Sequence, residues 1–140
     1  MRVGRVLPAA VLAAAVAACG AESDYQNKPR PPVPINATVA IDGKRVRVSP
    51  GTFGAGPVVF IISNQSGDAQ KVTFESDELG AARGGIRRST ERILPRSTGE
   101  LRVDAAQGTY TLSASTGGIR PASVEVSARR RSSQNDLLLP

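Results

Sequence analysis

The run of apolar residues V58-V-F-I-I62 decides the fold that this sequence predicts. It follows Pro57 directly and is closed by the turn-forming sequence N64-Q-S-G67. A short continuous apolar run between turn signals is typical of a strand whose two faces are both covered. The sequence therefore predicts a central strand at residues 58–62, buried on both sides, with a sheet built around it.

Segments with alternating polarity lie on both sides of this run. In R45-V-R-V48 the valines share one face and the arginines the other, as in a half-buried strand. Helical spacing of apolar residues does not persist over three turns anywhere in the chain. The short strands expected at spacings of 8–14 residues predict an all-β domain, a Greek-key β-sandwich, over residues 37–128. The further candidate strands are 37–41, 71–75, 90–94, 101–103, 109–114 and 123–128.

Other segments are predicted to be irregular. The sequence G51-T-F-G-A-G56 superficially matches a phosphate-binding loop, but it has neither the lysine nor the following helix of such a loop. It is interpreted as a turn between strands. Residues 76–85 are expected to form a loop, and residues 129–140 a disordered tail.

The N-terminus is typical of a secretory signal peptide. Arg2 and Arg5 precede the apolar stretch Val6–Ala18, whose thirteen residues span about 20 Å as a helix and so fall short of a bilayer core of about 30 Å. The stretch V16-A-A-C19 resembles the lipobox of bacterial lipoproteins. This resemblance implies cleavage between Ala18 and Cys19, and attachment of fatty acyl chains such as palmitate to Cys19.

The lipoprotein resemblance also predicts a location and a domain organisation. Residues 1–18 would be the signal peptide, and residues 19–36, with four prolines, a semi-rigid tether. Two or more acyl chains on Cys19 would hold the protein on the outer side of the cell membrane. Because Cys19 is the only cysteine, the folded domain would then have no thiol for a disulfide, a metal or catalysis.

The composition excludes several functions. The chain has no histidine, so Ser–His–Asp and Cys–His catalysis and HExxH zinc sites are ruled out. The net charge of +6 comes largely from the leader and the tail, because residues 37–128 carry eleven basic and nine acidic side chains. The chain has three Phe, two Tyr and no Trp, so it lacks the basic patch with interleaved aromatic residues that nucleic-acid binding would need, and such binding is not expected. The neighbouring carboxylates Glu75, Asp77 and Glu78 are interpreted as solvated turn residues, and no enzymatic activity is predicted.

Two longer stretches, residues 46–67 and 98–114, resemble the front and back halves of a cupredoxin. The first contains the pattern V58-x-F60-x-x-x-N64-x-x-G67, and the second contains G108-x-Y110. The resemblance covers residues 37–128 and implies a cupredoxin-like sandwich. An immunoglobulin-like sandwich is the alternative, in which Tyr110 would form a tyrosine corner.

The expected copper ligands of a cupredoxin are replaced in this sequence. The position of the first histidine ligand is occupied by Gln70 or Lys71, and that of the cysteine ligand by Ala114. The following loop, residues 115–122, contains neither His nor Met. Since blue copper requires a thiolate and two imidazoles, the resemblance predicts a head without metal or other cofactor.

These observations predict a non-enzymatic, lipid-anchored protein with a monomeric, metal-free head that binds an unknown protein or ligand. The alternative is an accessory or assembly protein of a membrane respiratory or copper-handling system. Loops carry most recognition sites in sandwiches, so the basic loop 83–92 is the candidate recognition surface. Its arginines are Arg83, Arg87, Arg88 and Arg92.

Overall fold

The computed structural model describes residues 30–77 and 85–133, and the regular secondary structure in these two ranges is β-strand. This confirms the predicted all-β class. In chain order the strands are β1 (Ile35–Ile41), β2 (Val46–Ser49), β3 (Thr52–Asn64), β4 (Val72–Ser76), β5 (Arg87–Ser89), β6 (Thr98–Ala105), β7 (Gly108–Ala114) and β8 (Ala122–Arg129).

The strands form two sheets that have β3 in common. The first sheet has the order β2-β1-β3-β6, and the second has the order β3-β8-β7-β4-β5. The pairs β1–β3 and β3–β8 are parallel, and the other pairs are antiparallel. The apolar sides of the sheets pack against each other and form the core of a sandwich.

Strand β3 belongs to both sheets because it bends at its glycines. Its first part, Thr52–Ala55, pairs with β8, and its second part, from Gly56, pairs with β6. The register with β8 shifts after Gly54, and Gly56 has a φ of 130°, which favours glycine. The predicted turn at residues 51–56 was therefore wrong, since these glycines bend a continuous strand rather than end it.

The middle of β3 is buried on one face only. Val58, Phe60 and Ile62 point into the core, whereas Val59 is half-buried and Ile61 is 39% exposed. The prediction of a strand covered on both faces was wrong, because within the described residues no further layer packs on the outer side of the first sheet. An apolar side chain is therefore exposed on this outer face.

An aromatic row runs through the core and links the two sheets. The ring centroids of Phe53 and Phe60 are 6.1 Å apart, those of Phe60 and Phe74 are 5.2 Å apart, and those of Phe74 and Tyr110 are 4.4 Å apart. Such pairs contribute about 0.5–1.5 kcal/mol each beyond the burial of their area. The Tyr110 hydroxyl donates to the Ala106 carbonyl at 2.9 Å, so this tyrosine has a structural role.

The folded part extends beyond both predicted boundaries. Strand β1 begins at Ile35, within the segment predicted as tether, and Pro32 is buried before it. Strand β8 continues to Arg129, and Arg130 donates hydrogen bonds to three carbonyls, one just before β1 and two in β3. The assignment of residues 129–133 to a disordered tail was wrong, because the Arg130 side chain ties this segment to β3.

Candidate functional site

The two positions that the cupredoxin resemblance marks as ligand positions meet at one end of the sandwich. Strand β4 begins at Val72, just after Gln70, and strand β7 ends at Ala114, and Val72 pairs with Ala114. Gln70 and the loop after Ala114 therefore lie at the same end of the sandwich. We call this end of the sandwich, where Asn64 also lies, the Gln70 end.

Gln70 is fully buried and all of its polar atoms are engaged. Its Nε2 donates to Ser66 Oγ at 3.2 Å and to Thr116 Oγ1 at 2.9 Å. Its Oε1 accepts hydrogen bonds from Thr116 N at 3.1 Å and from Ser115 Oγ at 3.3 Å. An amide has two donor hydrogens and an oxygen with two lone pairs, so these four bonds use its full capacity.

The backbone of Gln70 ties this site to a third loop. Gln70 and Ile93 form an isolated antiparallel bridge, with N–H···O distances of 2.9 Å and 2.7 Å. The prediction of a strand at residues 90–94 was therefore wrong, because Ile93 forms the only β-bridge among these residues and the strand of this region, β5, lies earlier at Arg87–Ser89.

Asn64 extends the same polar arrangement. Its Nδ2 donates to the carbonyls of Asp68 at 2.8 Å and Ile93 at 3.0 Å, and its Oδ1 accepts from Ser66 N at 3.1 Å and Ser66 Oγ at 2.6 Å. Buried polar groups with all partners present make loops rigid. We call the five residues Asn64, Ser66, Gln70, Ser115 and Thr116 the Gln70 cluster.

The donor set of the Gln70 cluster does not fit blue copper. The two marked positions supply a saturated amide and the methyl group of Ala114, whereas copper of this type needs thiolate and imidazole ligands. In residues 30–77 and 85–133, no group of three or more Cys, Asp or Glu side chains is arranged to hold a metal ion. The cluster is built to hold loops together.

The described arginines of the predicted recognition loop do not share one face of the fold. Arg83 lies outside the described residues. Arg87 and Arg88 are successive residues of the edge strand β5, so their side chains leave on opposite sides. Arg87 pairs with Glu75 at 3.4 Å, and Arg92 is exposed in the loop that leads to Ile93.

A cleft on the outer face of the first sheet was not predicted from the sequence. It has a volume of about 830 Å³ and is lined by outward-facing residues such as Ala40, Arg47 and Ile61, by core-side valines at the edge of β2, and by the start of β8. The alternation in R45-V-R-V48 correctly indicated that Arg45 and Arg47 face outward. The exposed Ile61 was missed because the continuous apolar run implied burial of both faces.

The lipid attachment site Cys19 and the cleavage position at Ala18 lie outside the described residues, so their predicted roles stay predictions. In the described ranges, no helix is long and apolar enough to cross a membrane.

Comparison with known proteins bears on the fold. No protein-family model matches this chain, and no curated protein matches it. Among solved structures the chain is similar to auracyanin B, with 14% sequence identity and a TM-score of 0.50. The match covers 71% of this chain and 92% of the auracyanin chain. The domain therefore has a cupredoxin-like fold, which confirms that prediction over the immunoglobulin-like alternative.

Proposed function

We propose that this protein is a lipid-anchored binding protein, in which a cupredoxin-like domain without copper is held outside the cell membrane and presents a surface to a partner. The observation that carries the proposal is the Gln70 cluster. At the positions that the cupredoxin resemblance assigns to copper ligands, this chain has a fully hydrogen-bonded amide and a methyl group. The fold is therefore used here for something other than electron transfer through copper.

The proposed anchor is supported by the sequence V16-A-A-C19 and by the positive and apolar segments before it. The only cysteine of the chain is accounted for in this way. Attachment of two or more acyl chains would make membrane association close to permanent, because each buried CH₂ contributes about 0.8 kcal/mol.

The point where the tether enters the domain supports the proposal that the Gln70 end faces away from the membrane. The tether enters β1 at Ile35, and Arg130 Nη1 donates to the Val33 carbonyl at 2.7 Å. Strands β1 and β3 run parallel, so Ile41 and Asn64 lie together at the far end of both strands. Seven residues of β1 separate the two ends by about 20 Å. A membrane anchor at the Ile35 end would leave the Gln70 end facing away.

Copper retention tests the proposal that the domain holds no copper. We expect the full chain, purified from membranes in detergent, to retain no stoichiometric copper after desalting, as measured by mass spectrometry of the metal. The Cys19→Ser chain is the matched control, because it separates binding by an unmodified thiol from binding by the domain. Retention of one copper per chain by both proteins would contradict the proposal.

Lipid labelling tests the anchor. Cells given an alkyne analogue of palmitate should label the unmodified protein and leave Cys19→Ser unlabelled. A second variant, Cys19→Ser with Ser23→Cys, restores a thiol outside the lipobox and should also stay unlabelled. Labelling of either variant would show that the V16-A-A-C19 motif does not direct the modification.

A further inference from the structure

Strand β6 forms an open edge of the first sheet. It pairs with β3 along its whole length, from Thr98 to Ala105, and within the described residues no strand pairs with its other side. The connection that leads into β6 does not cover this side, because the Ile93 side chain lies at the core face of Gly99. The first sheet therefore ends at β6 with an edge that is eight residues long.

The hydrogen bonds at the end of β3 show which of its residues bond to β6. Asn64 N donates to the Ser97 carbonyl, just before β6, at 3.0 Å. Gln65 N donates instead to the Ile41 carbonyl of β1, on the other side of β3, at 2.8 Å. Because alternate residues of a strand direct their backbone groups to the same side, the even-numbered residues of β3 bond to β6.

The register between the two strands then identifies the free backbone groups of β6. Phe60 of β3 pairs with Leu101, so the odd-numbered residues of β6 bond to β3. The N–H and C=O groups of the even-numbered residues therefore point away from β3. Within the described part of the chain, none of these groups has a hydrogen-bond partner. The residues with free backbone groups are Thr98, Glu100, Arg102 and Asp104.

This edge lacks the features that usually keep an edge strand from pairing. Natural edge strands are commonly shortened, bulged, interrupted by proline or lined by lysine. The register of β6 with β3 runs without a shift, and the segment T98-G-E-L-R-V-D-A105 contains neither proline nor lysine. Its exposed charges alternate in sign, from Glu100 to Arg102 to Asp104. An edge of this kind is a template for another strand.

The side chains of β6 define which strand fits this edge. Opposite charges on directly opposed residues stabilise an antiparallel pair, and like charges destabilise it. Basic residues opposite Glu100 and Asp104, with an acidic residue opposite Arg102, would match all three charges. Glu100 and Arg102 form an ion pair within β6, but side-chain exposures of 46% and 78% leave room for second partners. On the core face, Leu101 is 7% and Val103 is 8% exposed, so apolar side chains of an added strand would cover this rim of the core.

We infer that β6 binds an extended segment of a partner protein, which adds as an antiparallel strand and carries basic, acidic and basic residues in alternation with apolar ones. Free backbone groups select an extended polypeptide, the charges of β6 select its sequence, and pairing adds one strand to the sheet β2-β1-β3-β6. This inference rests on the proposed function, because it names the partner chemistry of the displayed domain. It assigns recognition to β6 rather than to the basic loop at residues 83–92.

A separate partner suits this edge better than a second copy of the chain. Two β6 strands paired antiparallel could place Glu100 of each copy opposite Arg102 of the other. Strands β1 and β3 are parallel to each other and antiparallel to β6, so this pairing would point the two Ile35 ends in opposite directions. Two copies anchored in one membrane have both tether ends on the same side, which favours a separate partner.

Selection from a displayed library of random twelve-residue peptides tests the inference. The bait is the full chain, purified from membranes in detergent. We expect enriched peptides with the pattern basic–apolar–acidic–apolar–basic. Amide exchange measured residue by residue should slow on binding at Glu100 and Arg102, and change less at Leu101, whose N–H already bonds to β3. Enriched peptides without this pattern, protection at another strand, or no enrichment would overturn the inference.

Proline at the edge separates backbone pairing from side-chain contacts. Arg102→Pro removes an outward N–H and none of the hydrogen bonds between β3 and β6, so it should weaken binding of an enriched peptide by about tenfold or more. Arg102→Ala removes the same charge, keeps the N–H and is the matched control, with a smaller loss. Equal affinities for these two variants would overturn strand addition.

Charge reversal provides a second test, which also serves if Arg102→Pro fails to fold. Arg102→Glu should weaken the same peptide by about three- to tenfold, and replacing the acidic residue of the peptide by lysine should restore the affinity. Glu125→Arg, on the outer face of β8, is the control and should bind the original peptide like the unmodified chain. Loss without restoration would overturn the assigned charge pattern.

Sedimentation of the full chain in detergent tests the second copy as the competing occupant. A dimer that Arg102→Pro dissociates would place a second copy at this edge and overturn the assignment to a partner protein. None of these readouts depends on lipid or copper. If lipid labelling and copper retention support the proposed function while no peptide is enriched, only the assignment of β6 fails.

Discussion

At the scale of single residues, Gln70 shows how hydrogen bonds organise one end of the sandwich. Its side chain joins the loop that contains Ser66 to the loop that contains Thr116, and its backbone joins both to Ile93. In a buried site, such a network is stable only when each member keeps its partners. One residue therefore connects three loops.

Truncation of Gln70 should be costly. We expect Gln70→Ala to lower the free energy of unfolding by about 2–4 kcal/mol, because it leaves a cavity and removes the partner of Thr116 N. Urea unfolding measures the loss. Gln65→Ala, at an exposed neighbouring position, is the control and should change stability by less than about 0.5 kcal/mol. Similar losses in both variants would contradict the role of the cluster.

Asp42 gives a prediction that depends on pH. The backbone N–H groups of Lys44 and Arg45 donate to its Oδ1 at 2.8 Å and 2.9 Å and hold the pKa of Asp42 below 3.8, with a further contribution from Arg47. A carboxyl group with a lowered pKa in the folded state stabilises the fold above its unfolded pKa, and this contribution is lost as the pH falls through the folded pKa.

Asp42→Asn should therefore be less stable than the unmodified chain near neutral pH. The difference in urea midpoint should shrink as the pH is lowered below 3.8, because the aspartate then becomes neutral as well. Asn keeps an oxygen that can accept the two N–H groups, so the comparison isolates the charge. A difference that is the same at every pH would mean that the charge of Asp42 does not contribute.

At the scale of elements, alternation of polarity in the sequence located five strands to within two residues at each end. These are β1, β2, β4, β7 and β8, each of which has one face in the core. Strand β5 was missed because Arg87–Ser89 has no apolar face and is a strand only through pairing with β4. That pairing includes a hydrogen bond between the hydroxyls of Thr73 and Ser89, which local sequence cannot reveal.

The positions of the candidate site could be predicted from the sequence, but their contacts could not. The cupredoxin resemblance marked Gln70 or Lys71, and Ala114, as ligand positions, and the pairing of β4 with β7 brings these positions together. The partners of Gln70 could not be predicted, because Thr116 is 46 residues away and reaches Gln70 only through the pairing of β4 with β7. The cleft beside the first sheet was missed for the same reason, since its lining comes from several strands.

Arg130 connects several elements of the fold, although the sequence placed it in a disordered tail. Its guanidinium donates to the carbonyls of Gly54 at 2.9 Å, Val33 at 2.7 Å and Pro57 at 2.6 Å. A side chain at Gly54 would come within 2.5 Å of Arg130 Cγ, so the glycine permits this close packing. Arg130 thus connects the end of the tether, the bend of β3 and the end of β8.

Removal of this side chain should loosen the tether end of the domain. We expect Arg130→Ala to lower the free energy of unfolding by about 1–3 kcal/mol and to speed hydrogen exchange at the start of β1. The neighbouring arginines provide matched controls, because Arg129 and Arg131 are exposed. Arg129→Ala and Arg131→Ala should stay within about 0.5 kcal/mol of the unmodified chain. Equal effects of the three substitutions would indicate a general role of charge.

At the scale of the whole molecule, the parallel course of β1 and β3 gives the domain two different ends. The tether, the Arg130 side chain and the bend of β3 occupy one end, and the Gln70 cluster occupies the other. If Cys19 carries the anchor, the orientation of the domain relative to the membrane follows from this arrangement. Energy transfer to acceptor lipids can measure that orientation.

Two variants with one added cysteine provide sites for a donor dye, since Cys19, if acylated as proposed, has no free thiol. Val33 is 58% exposed at the tether end, and Gly117 is exposed beside Thr116 with no atom within 4 Å of an added Cβ. In vesicles that contain acceptor lipid, we expect more efficient transfer from Val33→Cys than from Gly117→Cys, because β1 alone separates the ends by about 20 Å. Addition of Cys19→Ser should abolish transfer from both sites. Equal or reversed efficiencies in the anchored protein would mean that the Gln70 end does not face away from the membrane, and that the tether does not set the orientation of the domain.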